Sequence, residues 1–145
     1  AKLDSVYIND QQTSEFFLHG NVAAKHGVPL VFVSGDAGLC EEVQDVSPNT
    51  TTHATMVGVG DSTISIQPEE SRKAIQKKVK AALSGDLKSC LWKHPNSFSL
   101  KIRYVKQQAA YRASHYTGVS LVDAKTVLFE TKDYGEIMRF ILFTV

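Results

Sequence analysis

The run Pro29-Leu-Val-Phe-Val33 is continuously apolar and ends in Ser34-Gly35-Asp36. A strand with apolar side chains on both sides needs cover on both faces, the situation of a parallel strand in an α/β sheet. The flanking segments fit that architecture. Residues 3–8 alternate apolar with polar and stop at Asn9-Asp10, which predicts a strand and a turn. Thr13 and Ser14 can cap a helix with Glu15 in its first turn, and Gly27 ahead of Pro29 closes it. Residues 37–46 read as a short helix and 50–57 as a β-rich run. This strand–helix alternation predicts a parallel sheet with helices packed on it.

At Gly58-Val59-Gly60-Asp61 the character changes, and the segment reads as an interdomain turn, since it lacks the third glycine and the Lys-Ser/Thr pair of a phosphate loop. A strand is expected over 62–66. Pro68-Glu69-Glu70 then opens a helix whose Ile75, Val79, Ala82 and Leu83 form one apolar stripe and which Gly85 ends. Strands at 98–105 and 126–130 and helices at 107–115 and 133–143 complete the chain. The expected fold class is therefore α/β: residues 1–57 as the end of a three-layer α/β/α parallel-sheet domain, and 58–145 as a two-layer α+β domain.

Sixteen Lys and Arg against fifteen Asp and Glu leave a net charge of +1. That balance lacks the electrostatic footprint of a phosphate-backbone binder, so nucleic acid is not an expected partner. Lys73, Lys77, Lys78 and Lys80 read as a solvated helix face. The longest apolar run, 137–145, contains Arg139 and is too short to span a bilayer, so no membrane partner is expected. Cys40 and Cys90 belong to no CxxC or Cys/His cluster and suit buried thiols in a reducing compartment. The chain starts at Ala1 without an initiator Met, which suggests a missing upstream segment.

Candidate chemistry centres on the first helix. At 100° per residue, Glu15, His19, Val22 and His26 fall on one stripe. A carboxylate four residues before a histidine can direct two ligands at one metal, or the pair can simply face solvent. Asp36 stands where α/β ligand sites gather, although Gly-Asp is also a common turn. Asn49-Thr50-Thr51 matches a glycosylation triplet, and His53, His94 and His115 are scattered without metal-ligand spacing.

Three segments carry a resemblance: Val6-Tyr-Ile-Asn-Asp, Ser14-Glu-Phe-Phe-Leu-His-Gly, and the stretch from Ala23 through Asp36. Together they resemble the DppA-type D-aminopeptidases, more loosely continued through Pro48-Asn-Thr-Thr, Gln67-Pro-Glu-Glu-Ser and Lys132-Asp133. The resemblance implies a cytoplasmic, zinc-dependent aminopeptidase that uses metal-activated water on short peptides with an N-terminal D-residue, and a ring-shaped homo-oligomer. It also implies a longer polypeptide, with most metal ligands and a catalytic histidine in an N-terminal half opened by an Asp-x-Glu-Gly motif, so that this chain carries no catalytic residue and is inactive alone. The glutamate of the family's Gly/Ser-Glu-x-x-Leu motif falls on Glu15, as a zinc ligand. His19 stands where the family usually has asparagine, and Ala24 where it has glycine; His19 is either a contact for substrate or for the metal's outer partners, or a neutral replacement. The alternative is an α+β binding or assembly module that kept the fold without the activity.

Overall fold

The computed structural model describes residues 2–145; Ala1, where the first expected domain begins, lies outside them. The chain has a mixed α/β fold with two sheets and divides into two units: residues up to Lys25 together with His94–Val145, and the continuous segment His26–Lys93.

The first unit is built on an antiparallel sheet of order β2-β1-β6-β8-β7, from β1 (Leu3–Ile8), β2 (Gln11–Gln12), β6 (Phe98–Tyr104), β7 (Val119–Asp123) and β8 (Thr126–Thr131). Helices α1 (Glu15–Lys25), α4 (Gln107–Ala113) and α5 (Tyr134–Thr144) complete it. On β6, Phe98, Leu100, Ile102 and Tyr104 alternate inward and are all buried, as a strand with one covered face requires. They join Val127 and Phe129 of β8 and Ile137 and Phe140 of α5 in the core, on which Phe17, Leu18 and Val22 of α1 also pack. Burying each large side chain contributes about 1.5–3 kcal/mol relative to exposure. The opposite face of β6 is polar: Arg103 lies 3.3 Å from Asp4 and 3.6 Å from Asp123.

The second unit holds β3 (Phe32–Asp36), β4 (Thr51–Val59) and β5 (Ser62–Ser65) in the order β3-β4-β5, with α2 (Ala37–Val46), α3 (Pro68–Leu83) and a single 3-10 turn at Leu87–Cys90. β3 and β4 run parallel, and β5 returns antiparallel to β4. Asp36 caps α2, accepting a 2.8 Å bond from the Leu39 N–H. The Gln67 side chain caps α3 by accepting from the Glu69 and Glu70 N–H groups at 2.8 and 3.1 Å, and Pro68 fills the first turn. Cys40 and Cys90 are both buried and free.

Three expectations change. The strand at 3–8 does not enter the parallel sheet; it pairs antiparallel with β6, Val6 opposite Ile102. Its alternating pattern, unlike the continuous one at 29–33, already suits a strand covered on one side. Gly58-Val59-Gly60-Asp61 is not an interdomain turn but the tip of the β4–β5 hairpin, with Gly60 at φ +59°. The chain accordingly does not divide at residue 57: β4 runs through that point, and the first unit gathers sequence from both ends.

Candidate functional site

Helix α1 is fixed along one side. Gly20, Asn21 and Ala24 are buried, and Phe17, Leu18 and Val22 pack on the core. The Phe17 N–H donates to Ser14 Oγ at 3.3 Å, which caps the helix, and Asn21 Nδ2 donates to the Phe17 carbonyl at 3.0 Å. Two contacts to α5 hold its position. The Tyr134 hydroxyl donates to the Leu18 carbonyl at 2.9 Å, and Lys25 Nζ meets Asp133 Oδ1 at 2.5 Å. Desolvation pushes the Tyr134 hydroxyl well above the ordinary tyrosine range. The Lys25 hydrogen bond, then the Gly135 N–H, hold the Asp133 carboxyl below its usual value.

A helix packed this way turns the opposite stripe outward. Glu15 is the first residue of α1, and both it and His19 are exposed in this chain. Glu15 thus stands in the first turn, where unpaired N–H groups favour a negative side chain. Of the two arrangements the spacing allows, the Glu15–His19 pair in this chain faces solvent. Val22 is half-buried at the margin of the stripe. The helix stops at Lys25, so His26 does not continue it, and Gly27 follows at φ +66°.

Among the described residues no three His, Cys, Asp or Glu side chains converge in a way that could hold a metal ion. A tetrahedral zinc site takes three or four protein ligands, so the donors described in this chain do not by themselves fit zinc.

The other candidates resolve separately. Asp36 is spent on capping α2, and Asn49 donates through Nδ2 to the Ser89 carbonyl at 3.0 Å. His53 is buried with Nε2 3.4 Å from Ser71 Oγ, and His115 stands edge-on to Tyr111 with centroids 4.8 Å apart. Lys73 pairs with Glu69 at 2.9 Å and Lys78 donates to the Thr52 carbonyl at 2.7 Å, as befits a solvated helix face. His94, which sequence reasoning set aside, stands edge-on to both Phe98 (5.1 Å) and Tyr134 (6.1 Å). Its Nε2 is buried without a hydrogen-bond partner among the described residues. Nothing in its sequence neighbourhood announces this, because the aromatic partners arrive from other elements. No described helix is long and apolar enough to cross a membrane.

Comparison with known proteins adds three findings. Residues 1–143 match the family model described as D-aminopeptidase. The D-aminopeptidase of Bacillus subtilis (strain 168) is 28% identical over 132 residues, 90% of this chain and 48% of that protein. The solved structure of the Zn-dependent D-aminopeptidase DppA from Bacillus subtilis, described as a self-compartmentalizing protease, superposes with a TM-score of 0.90 at 26% identity. That superposition covers 99% of this chain and 53% of DppA, so the chain spans about half the length of the relatives it matches.

Proposed function

Because the chain belongs to the D-aminopeptidase family, we propose that it forms the C-terminal part of a zinc-dependent aminopeptidase hydrolysing short peptides with an N-terminal D-residue. The observation that carries this reading is the family match over residues 1–143, combined with the exposed position of Glu15 at the start of a firmly anchored helix. Glu15 supplies one carboxylate ligand, and the remaining ligands and the proton-handling histidine come from outside this chain. When bound, zinc in such a site lowers the pKa of a coordinated water and polarises the scissile carbonyl. The part played by this chain is to hold the Glu15 carboxylate in place: α1 is tied to α5 through Tyr134 and Lys25, so the carboxylate arises from a fixed backbone. His19, one turn further along the same exposed stripe, contacts substrate or a group that orients a ligand.

Three further parts of the reading follow. The second unit is the end of a three-layer α/β/α domain; this is supported by α2 lying against Gly35 of β3 while α3 meets His53, which pairs with Ser34 and so points to the other side. The whole protein assembles with further copies of itself, a reading supported by the description of DppA as self-compartmentalizing. It works in the cytoplasm, where two unpaired thiols persist.

The test uses the full-length protein. Elemental analysis is expected to find bound zinc, and hydrolysis is expected to favour D-alanyl over L-alanyl dipeptides. Glu15→Ala should cost zinc affinity at least the roughly 10–100-fold lost with an outer-sphere partner. His19→Asn should keep the zinc and alter KM. A zinc-free wild-type protein, or zinc occupancy unchanged by Glu15→Ala, overturns the reading in favour of a non-catalytic binding or assembly module. The isolated 145-residue chain is expected to be inactive.

A further inference from the structure

The β4–β5 hairpin carries an apolar face that nothing described in this chain covers. Val57 stands directly opposite Ile64 and Val59 opposite Ser62, and the Ile66 N–H donates to the Thr55 carbonyl at 2.9 Å. Opposite residues share a face and alternate residues repeat it, so Val57, Val59, Ile64 and Ile66 all point to one side. They are 50%, 53%, 68% and 41% exposed. The register shift at Gly35/Asp36, where Met56 rather than Thr55 follows Ala54 opposite β3, turns His53, met by Ser71 of α3, to the other face from these four side chains, and the hairpin tip is bare.

The outer edge of β5 is equally bare. Natural sheets guard an edge with charge, a bulge or cover. Edge strand β7 has both charge and irregularity, with Asp123 paired to Arg103 and a register shift beside it, and edge strand β3 is largely half-buried. β5 is exposed throughout, and Asp61 is the sole charged residue between positions 46 and 67.

We propose that this hairpin docks on the same hairpin of a second copy of the protein, β5 edge to β5 edge, across a two-fold axis at Ile64. The proposal rests on the self-assembly reading above and assigns it a surface. Opposite residues of an antiparallel pair face the same way, and a two-fold axis perpendicular to the sheet preserves facing. The axis must therefore pass through a residue, since a register centred between two residues would flip one apolar set to the other side. Centring on Ile64 places it against its own counterpart and Ser62 against Ile66, and it merges the two apolar faces into one strip. The same register puts Asp61 opposite Gln67 and leaves the two Asp61 carboxylates about 20 Å apart, at ~3.3 Å per residue, so the sole charge is not set against itself. An uncharged edge with a free backbone ladder complements a second uncharged edge and offers a charged partner nothing to pair with. A standard interface draws on about 20–30 residues per partner. The hairpin is smaller than that, so it is one contact within a larger assembly.

Cross-linking of the full-length protein tests the register. In Ile64→Cys the two introduced thiols face each other across a pair whose Cα atoms lie about 4.5–5.5 Å apart, within disulfide reach. In Thr63→Cys they sit on a diagonal of about 7–8 Å, outside the usual range. Mild oxidation should give at least ten-fold more covalent dimer from Ile64→Cys than from Thr63→Cys or wild type, whose two cysteines are buried. Equal yields, or no dimer from Ile64→Cys, overturn the proposal. Ile64→Lys should at least halve the assembled mass by light scattering with an unchanged circular dichroism spectrum; an unchanged mass also overturns it. A wild-type protein that is monomeric at all concentrations removes the assembly reading itself, whereas an assembled protein that fails the cross-link removes only the hairpin contact.

Discussion

Tyr134 couples the core to the helix that presents Glu15. Its ring packs edge-on to Phe98 at 4.9 Å while its hydroxyl is spent on the Leu18 carbonyl. Tyr134→Phe keeps the ring and removes only this added hydrogen bond to a carbonyl that stays paired within its helix, so unfolding free energy should fall by about 0.5–1.5 kcal/mol in urea melts. The wild-type hydroxyl is held neutral by burial, so its contribution is complete below the ordinary tyrosine pKa of about 10 and declines as pH rises beyond it. Tyr134→Phe should lack that alkaline decline. Asp133 behaves in the opposite sense. Its folded pKa lies below the unfolded value, so its contribution is present above about pH 4 and is lost as pH falls through the depressed value. The gap in urea midpoint between wild type and Asp133→Asn should therefore be open at pH 7 and close on acidification.

Helix ends and turns carry the local rules most directly. Gly27 has nothing within 4 Å of where a Cβ would stand, so Gly27→Ala meets only the strain of φ +66° and should cost about 1 kcal/mol, read as a lowered thermal midpoint. Elements written in short-range chemistry were legible in the sequence. α2 spans 37–46 as expected, with Asp36 as cap, and α3 opens at Pro68 with acids in its first turn. Asn9 and Asp10, expected as a turn, take positive φ at the two-residue connection between β1 and β2. What depends on distant partners was not legible. β7 escapes a reading by period because its register breaks beside Asp123 and its place follows from pairing with β8. The partner of β1 could not be read either, since β6 lies more than ninety residues away. At the candidate site, Glu15 is marked by a local motif and a cap, whereas His94 gains its aromatic surroundings only when β6 and α5 come together.

At the scale of the molecule, His26–Lys93 makes its strand pairs between neighbouring segments, while the first unit must join residues near the start of the chain to residues beyond 94. Pairing Val6 with Ile102 closes a loop that contains the whole second unit. Loop-closure entropy grows only with the logarithm of length, so this connectivity costs little stability, but distant contacts slow the search for the native state. Pulse-labelled hydrogen exchange during refolding should therefore protect the amides of β4 before those of β1 and β6. The same connectivity sets an order for synthesis on the ribosome. β1 and α1 emerge well before β6 and α5, so the helix that bears Glu15 leaves the tunnel with Phe17 and Leu18 uncovered and waits for the segments beyond residue 93 to bury them. For that interval the nascent chain is a client for a holdase, and slowing elongation between residues 26 and 93 would lengthen its exposure.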